Sequence, residues 1–359
     1  MRLKSLSYTE NLSKKETNPW ELQELSLGER NLIVGKNATG KTRIVNVIHN
    51  FAKLIQKSQT VGHGKWAAVF VDGNHEIAVS VAIDNGKILH EQILIDGHKK
   101  LERTQSSAEL YSEVAAAELK ISPPSDRLVL HVRRDKKEFP FLEKLVAWAE
   151  GVRGFSFANT SPNLVEMPNN PSQLTSLHTV PSVLEHLSPA QLHVVLKQMS
   201  DMGYDIEAAS TGWVEGLPPA AKMVFLKERG SAKPLKQSEI SQGMFRAFSL
   251  LAIFQFLQCS SQVGCVLIDD LGEGLDFERS KKLADIIFGA SDTKIQIIAT
   301  SNESFLMNVV SLSDLILCYR SKHVVRCLNY ANSREQFDAW RQLGLNNFDL
   351  FSSNFLLKS

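Results

Sequence analysis

Cysteine is scarce in this chain: Cys259, Cys265, Cys318 and Cys327 are the four in 359 residues. None forms a CxxC pair and none has the spacing of a zinc site, so no cysteine-based metal centre is expected. Cys265 and Cys318 sit inside apolar runs that predict buried strands, where a reduced thiol is a small core residue. Long hydrophobic stretches are also missing. The longest, Ala247 to Leu257, is too short to span a bilayer and is broken by Ser249 and Gln255. The opening segment "MRLKSLSYTENLSKK" lacks the apolar core of a signal peptide. Charge of one sign is absent, since 40 Lys and Arg face 39 Asp and Glu for a net charge of +1. That balance gives no electrostatic footprint for nucleic acid or a membrane. No internal repeat, heptad array or low-complexity tract is present. These absences predict a soluble, cytoplasmic chain with enough apolar residues, 43%, to build one large domain or two modest ones.

What is present begins with "NLIVGKNATGKTRIVNVIHNFAKLI", which reads as strand, glycine loop and helix. Ile44, Ile48, Phe51 and Ile55 recur at helical spacing, so one face of that helix packs on a sheet. Over residues 66–102 the rhythm changes to "WAAVFV", "HEIAVSVAI" and "KILHEQILI", separated by the turn signals "DGN" and "DNG". This predicts an antiparallel β-layer. "FPFLEKLVAWAEGV" then predicts a helix, followed by the Pro- and Asn-rich loop "SPNLVEMPNNPSQ". "SPAQLHVVLKQMSDMG" carries a cap at Ser188, Pro189 in the first turn, Gln191 for a capping box, and a terminating Gly203. The organisation expected is an α/β fold in two sequence segments, 1–134 and 225–359, around an inserted, partly helical, lid-like subdomain at 135–224. "GCVLIDD", "KIQIIATS", "DLILCYR" and "HVVRCLNY" are four short apolar strands suited to a mainly parallel sheet.

Gly35-Lys36-Asn37-Ala38-Thr39-Gly40-Lys41-Thr42, followed by Arg43, matches G-x-x-x-x-G-K-[ST] in its strand–loop–helix context. At average residue frequencies the pattern arises by chance in about one chain in a hundred of this length. Backbone N–H groups in such a loop surround phosphate oxygens. Lys41 would neutralise the β/γ-phosphates and the Thr42 hydroxyl would ligate Mg²⁺. "CVLIDD" supplies an apolar strand ending in Asp269, a metal carboxylate, and Asp270, placed to orient or deprotonate an attacking water. Ser241 and Gly243 stand before a strongly apolar helix in "SEISQGMFRAFSLLAIFQFL", where a hydroxyl and backbone amides form an anion site.

The order of phosphate loop, "ISQGMFR", "VLIDD" and "GEGLD" resembles the ABC-type ATPases, above all the non-transporter branch. That branch holds RecF-, SMC- and Rad50-like proteins and the compact OLD-like or "AAA15" ATPases of bacterial defence. Asn37 also resembles the family's loop, "ISQGMFR" its LSxGxxR signature, and "DDLGEGLD" its DEPxxxLD segment. The resemblance implies an ABC-ATPase-like P-loop fold that binds ATP and Mg²⁺. It further implies that Ser241 and Gly243 touch the γ-phosphate of ATP held by a second subunit. Asp269 would be the Walker B carboxylate, Asp270 the catalytic position, and Asp276 the D-loop residue across a homodimer. Two departures stand out. Asp270 replaces the usual glutamate and is one methylene shorter. Asn302 replaces the usual switch histidine; it still donates a hydrogen bond but cannot carry a proton. Together they imply slow hydrolysis and a protein that holds ATP and switches. Gln92 and Tyr8 have no context that assigns them to the family's glutamine or adenine-stacking positions.

Three functional classes follow from the resemblance. A transporter motor fits poorly, because two hundred residues lie between Lys41 and Ser241. A RecF- or Rad50-like DNA-repair ATPase lacks the coiled-coil arms and hook, and "HVRRDKK" is its best basic cluster. A regulatory ATPase of a defence or toxin–antitoxin module is preferred. The stretch after Asn302 leaves no room for a nuclease domain, so a separate nuclease or toxin subunit would be the effector. An ATP-dependent scaffold without hydrolysis is the remaining alternative.

Overall fold

The computed structural model describes residues 1–10, 20–56, 62–165, 176–213, 221–260, 264–289 and 295–353. From residue 166 on, the Pro- and Asn-rich loop lies outside them, as does the end of the C-terminal tail. The chain forms two compact units. One comprises Met1–Val152, Leu312–Leu345 and Asp349–Ser359; the other comprises Arg153–Ser311 and Asn346–Phe348.

The first unit opens with β1 (Arg2–Thr9), β2 (Glu21–Ser26), β3 (Arg30–Gly35) and helix α1 (Lys41–Gln56). There follow β4 (Gly64–Asp72), β5 (His75–Asp84), β6 (Lys87–Ile95), β7 (His98–Thr104), β8 (Ser107–Ser112), β9 (Ala117–Ile121), α2 (Val129–Val132) and α3 (Pro140–Glu150). The second unit holds β10 (Val152–Ser156), α4 (Val180–Leu184), α5 (Pro189–Asp201), β11 (Ile206–Gly212), β12 (Met223–Glu228) and β13 (Leu235–Lys236). It continues with α6 (Gln242–Gln258), β14 (Cys265–Asp269), α7 (Phe277–Gly289) and β15 (Gln296–Ser301). The chain then returns to the first unit with β16 (Leu315–Ser321), β17 (Val324–Asn329) and α8 (Arg334–Gln342); α9 (Asn347–Ser352) is the last described helix.

Strands of the first unit run in the order β3-β16-β17-β2-β1-β4-β5-β6-β7-β8-β9. Two parallel pairings, β3 with β16 and β2 with β17, lie at its phosphate-loop end. From β2 outward every pairing is antiparallel. The hairpins close where the turn signals stand. Gly73, in the turn between β4 and β5, and both Asn85 and Gly86, in the turn between β5 and β6, have positive φ; Asp96-Gly97, a turn outside those signals, has the same geometry at both residues, which matches strand twist. The predicted antiparallel layer is thus present and runs on through β9. β17 departs from the parallel expectation by pairing antiparallel with β16. Only Lys322 and His323 separate them, too few for a parallel crossover.

Ile44, Ile48, Phe51 and Ile55 of α1 are all buried, each worth about 2 kcal/mol of apolar burial. Trp148 of α3 packs edge-on against Phe70, with ring centroids 4.7 Å apart. A buried charge pair fixes the following segment. Arg103 is fully buried and donates to the carbonyls of Pro124 (2.7 Å), Arg127 (2.5 Å) and Gln105 (3.3 Å). Glu91, 3.8 Å from Arg103, accepts the Val129 N–H at 2.9 Å. Burial pushes the Glu91 carboxyl up to about 7, opposed by that N–H bond and by Arg103.

In the second unit β14 and β15 pair in parallel, as their continuous apolar runs predict. α6 is buried on nearly every side, which explains why its sequence lacks a polar face. α5 starts with the predicted capping box between Ser188 and Gln191. β11, β12 and β13 form a separate antiparallel sheet.

Candidate functional site

The site residues fall in two groups, one in each unit. In the first unit the buried strand β3 delivers Gly35 into the phosphate loop. The loop turns through two positive-φ residues, Ala38 (65°) and Gly40 (103°). A side chain at Gly40 would also meet the Trp20 ring at 3.2 Å. At Gly35 a Cβ would come within 2.8 Å of both the Cys318 carbonyl and Thr39 Oγ1, so glycine alone fits there.

The loop's carbonyls are taken up one by one. Lys41, only 6% exposed, folds back and donates from Nζ to the Gly35 carbonyl at 2.8 Å and the Lys36 carbonyl at 3.4 Å. Thr39 donates its hydroxyl to the Lys36 carbonyl at 2.8 Å. Arg320, on β16, donates from Nη1 to the Ala38 carbonyl at 3.1 Å. The loop leads directly into the N-terminus of α1, whose dipole favours an anion at that end. Asn37 and Thr42 are exposed. Arg43 pairs with Glu10 and lies 4.5 Å over the Trp20 ring.

In the second unit Asp269 closes β14 and Asp270 follows it with φ 57°, a conformation that aspartate tolerates better than most residues. Thr300, fully buried on β15, organises both. Its hydroxyl accepts the Asp270 N–H at 2.9 Å and donates to Asp269 Oδ1 at 2.7 Å. Asn302, just past β15, donates from Nδ2 to Asp270 Oδ1 at 2.8 Å.

Ser241 caps α6, accepting the Met244 N–H at 3.3 Å. At Gly243 a Cβ would lie 2.6 Å from the Gly274 carbonyl, so this glycine lets the helix start meet the turn that carries Asp276. Arg246, one helical turn on and buried, donates to the carbonyls of Ala158, Thr160 and Glu273. Asp276 caps α7 through the Arg279 N–H at 3.0 Å, and that bond, before the Arg279 charge, holds its carboxyl below the usual range. The start of α6, the acidic pair, the turn after it and Asn302 are therefore joined by direct hydrogen bonds within this unit.

Residues 30–308 match the family model described as an AAA domain, putative AbiEii toxin, Type IV TA system. The chain belongs to this AAA family. The match runs from the start of β3 past Asn302 and includes Gly35 to Arg43, Ser241, Gly243, Asp269, Asp270, Asp276, Thr300 and Asn302, while Trp20, Cys318 and Arg320 lie outside it. Among curated proteins no match is found. Among solved structures, an SMC head bound to the C-winged helix domain of ScpA is similar at 12% identity with a TM-score of 0.54, over 91% of this chain and 97% of that one. An SMC head domain from Thermotoga maritima is 14% identical with a TM-score of 0.48, over 92% of this chain and 99% of that one. The first of these likenesses shows that this AAA family member has the fold of an SMC head.

Sequence reasoning missed Thr300, Trp20 and Arg320. The first was visible as a hydroxyl within "IIATS"; the other two carry no motif and come to the loop only through pairing and packing. Tyr8 packs between Trp20 and Trp66, with centroids 6.0 and 4.9 Å away, and burial pushes its hydroxyl up to about 12. Gln92 lines a shallow cleft on the sheet with Ser5, Ser7 and Ser80. No helix among the described residues is long and apolar enough to cross a membrane.

Proposed function

We propose that this chain is a slowly hydrolysing cytoplasmic ATPase that closes as a head-to-tail homodimer around ATP and so switches a separate effector protein. The observation that carries the reading is the acidic pair. Thr300 and Asn302 hold Asp269 and Asp270 in set positions, in a chain that also builds a phosphate loop around Lys41. In this reading Gly35, Asn37, Ala38, Thr39, Gly40, Lys41, Thr42 and Arg43 of one chain hold the nucleotide. Ser241, Gly243 and Asp276 of the second chain complete the site.

The reading also calls for Mg²⁺. Among the described residues no group of three or more His, Cys, Asp or Glu is able to hold a metal ion. A magnesium ion, though, needs only one or two protein oxygens beside phosphates and waters. Thr42 and Asp269 would provide those oxygens. Bound Mg²⁺ supplies neutralisation of the phosphate charge. Lys41 adds a further positive charge at the phosphates, and Asp270 orients the water. Asn302 occupies Asp270 Oδ1 and competes with that water for the carboxylate. The shorter aspartate and the engaged oxygen both favour slow turnover.

The family description names a toxin and a Type IV TA system, which favours a defence or toxin–antitoxin setting over DNA repair. The SMC head of similar fold is bound to the C-winged helix domain of ScpA, which is consistent with a protein as the regulated partner. Size measurement of the chain with ATP tests the reading. The parent should dimerise with ATP, Lys41→Ala should not, and Asp270→Ala should accumulate as dimer. A turnover number above about 10 s⁻¹, the median for enzymes, would contradict the slow switch. A binding constant for DNA that falls steeply with salt would favour the repair alternative.

A further inference from the structure

Strand β16 backs the phosphate loop and carries a thiol at the point of closest approach. Cys318 stands in register with Gly35 on β3, and its carbonyl is one of the two atoms, with Thr39 Oγ1, that exclude a side chain from Gly35. On its other flank Cys318 stands directly opposite Cys327 of β17. Both thiols are buried, and their sulfurs lie 2.8 Å apart. Two residues along the same strand, Arg320 holds the Ala38 carbonyl. One strand therefore joins a dithiol to two supports of the loop. The thiol pair has no part in the nucleotide chemistry proposed above.

We propose that Cys318 and Cys327 form a reversible cross-strand disulfide, a redox modification site that resets the phosphate loop. The oxidant is a low-molecular-weight disulfide, and the route is thiol–disulfide exchange. One protein thiolate attacks a sulfur of the small disulfide, breaking its S–S bond and releasing one small thiol. The second protein sulfur then attacks the protein sulfur of the mixed disulfide and expels the other small thiol. Two protein S–H bonds and one small-molecule S–S bond are lost; one protein S–S bond and two small-molecule S–H bonds form. The protein gives up two electrons and two protons, which leave with the two small thiols. Hydrogen bonding to Cys318, then burial, holds the Cys327 thiol well above its ordinary range. The resting form is accordingly the dithiol, and exchange is slow.

Bond formation shortens the 2.8 Å separation of the sulfurs to about 2 Å and so moves Cys318 relative to β3. With no side chain at Gly35 to absorb the movement, it passes to the first residue of the loop. The effect on ATP rests on the nucleotide reading above; the effect on the loop itself does not.

The test equilibrates the full chain in buffers of graded reduced to oxidised glutathione, followed by alkylation and peptide mapping. Amide hydrogen exchange over residues 35–41 and ATP affinity are then measured on each form. A Cys318–Cys327 linked peptide is expected, cleared by reductant, together with altered loop exchange and ATP binding at least threefold weaker. Cys327→Ser should abolish the link, with Cys327→Ala as the alternative if serine prevents folding; Cys259→Ser should leave the link intact. Alkylation of both cysteines in the most oxidising buffer would overturn the proposal, as would a link that leaves loop exchange unchanged. A link that alters loop exchange in a chain binding no ATP in either form would uphold the thiol site and sink the nucleotide reading.

Discussion

Asn302 donates from its amide to Asp270 Oδ1 at 2.8 Å, so the two residues proposed for the switch and catalytic roles are bonded directly to each other. A histidine there could have exchanged a proton with the carboxylate; asparagine can only hold it. Asp270→Asn keeps both the size and the tolerance of positive φ, so the fold should persist. It should lower ATP turnover by about 10²–10⁴-fold, the usual contribution of a general base, with ATP affinity retained. Steady-state phosphate release beside equilibrium binding checks this.

Thr300→Val removes one hydroxyl that serves two buried partners. The Asp270 N–H and Asp269 Oδ1 lose their bonds, at a cost of about 1–3 kcal/mol. A lower melting temperature and slower turnover are expected, with both largely restored in Thr300→Ser. A valine variant as stable as the parent would refute the bridging role.

Lys41→Ala removes the cation that folds across the loop. Hydrogen bonds to charged groups contribute about 1.5–3 kcal/mol, so ATP affinity should fall at least roughly tenfold by calorimetry. Dimer formation with ATP should disappear with it.

Arg320→Ala frees the Ala38 carbonyl. Because the guanidinium is exposed, the cost should be near 1 kcal/mol, about fivefold in ATP affinity. Arg320→Lys should rescue little, since one fork reaches both the Ala38 and Lys322 carbonyls and a lysine cannot. Equal affinity in all three proteins would remove Arg320 from the loop's supports.

Glu91 makes the first unit sensitive to pH. Its folded-state carboxyl titrates at about 7, above the ordinary 4.5, so the folded chain binds the extra proton between those values. Its contribution is complete below about pH 4.5 and is lost as pH rises through about 7. The change is on the order of 3 kcal/mol. Glu91→Gln keeps an acceptor for Val129 and should flatten this dependence. Urea midpoints at pH 5 and pH 8, for parent and variant, decide it.

The phosphate loop was legible because its chemistry is local. A tight turn between strand and helix needs Gly35 and Gly40, and the lysine and threonine must follow at fixed spacing. "VLIDD" and "ISQGMFR" were legible for the same reason, as a strand end and a helix start. The β16–β17 hairpin was less so. An apolar run shows burial but not direction, and the two-residue turn at Lys322-His323 contains neither glycine nor asparagine to mark it.

The sequence by itself determined the α/β character, the antiparallel hairpins from β4 to β6 and the α5 cap, and it named the residues of the proposed site. These depend on periodicity and turn chemistry, which act over a few residues. Only the tertiary structure decided that Thr300 bridges Asp269 and Asp270, and that Arg320 and Cys318 support a loop far away in sequence. Strand order is set by which apolar faces bury best against each other, a competition among distant segments, and no spacing within one segment records its outcome.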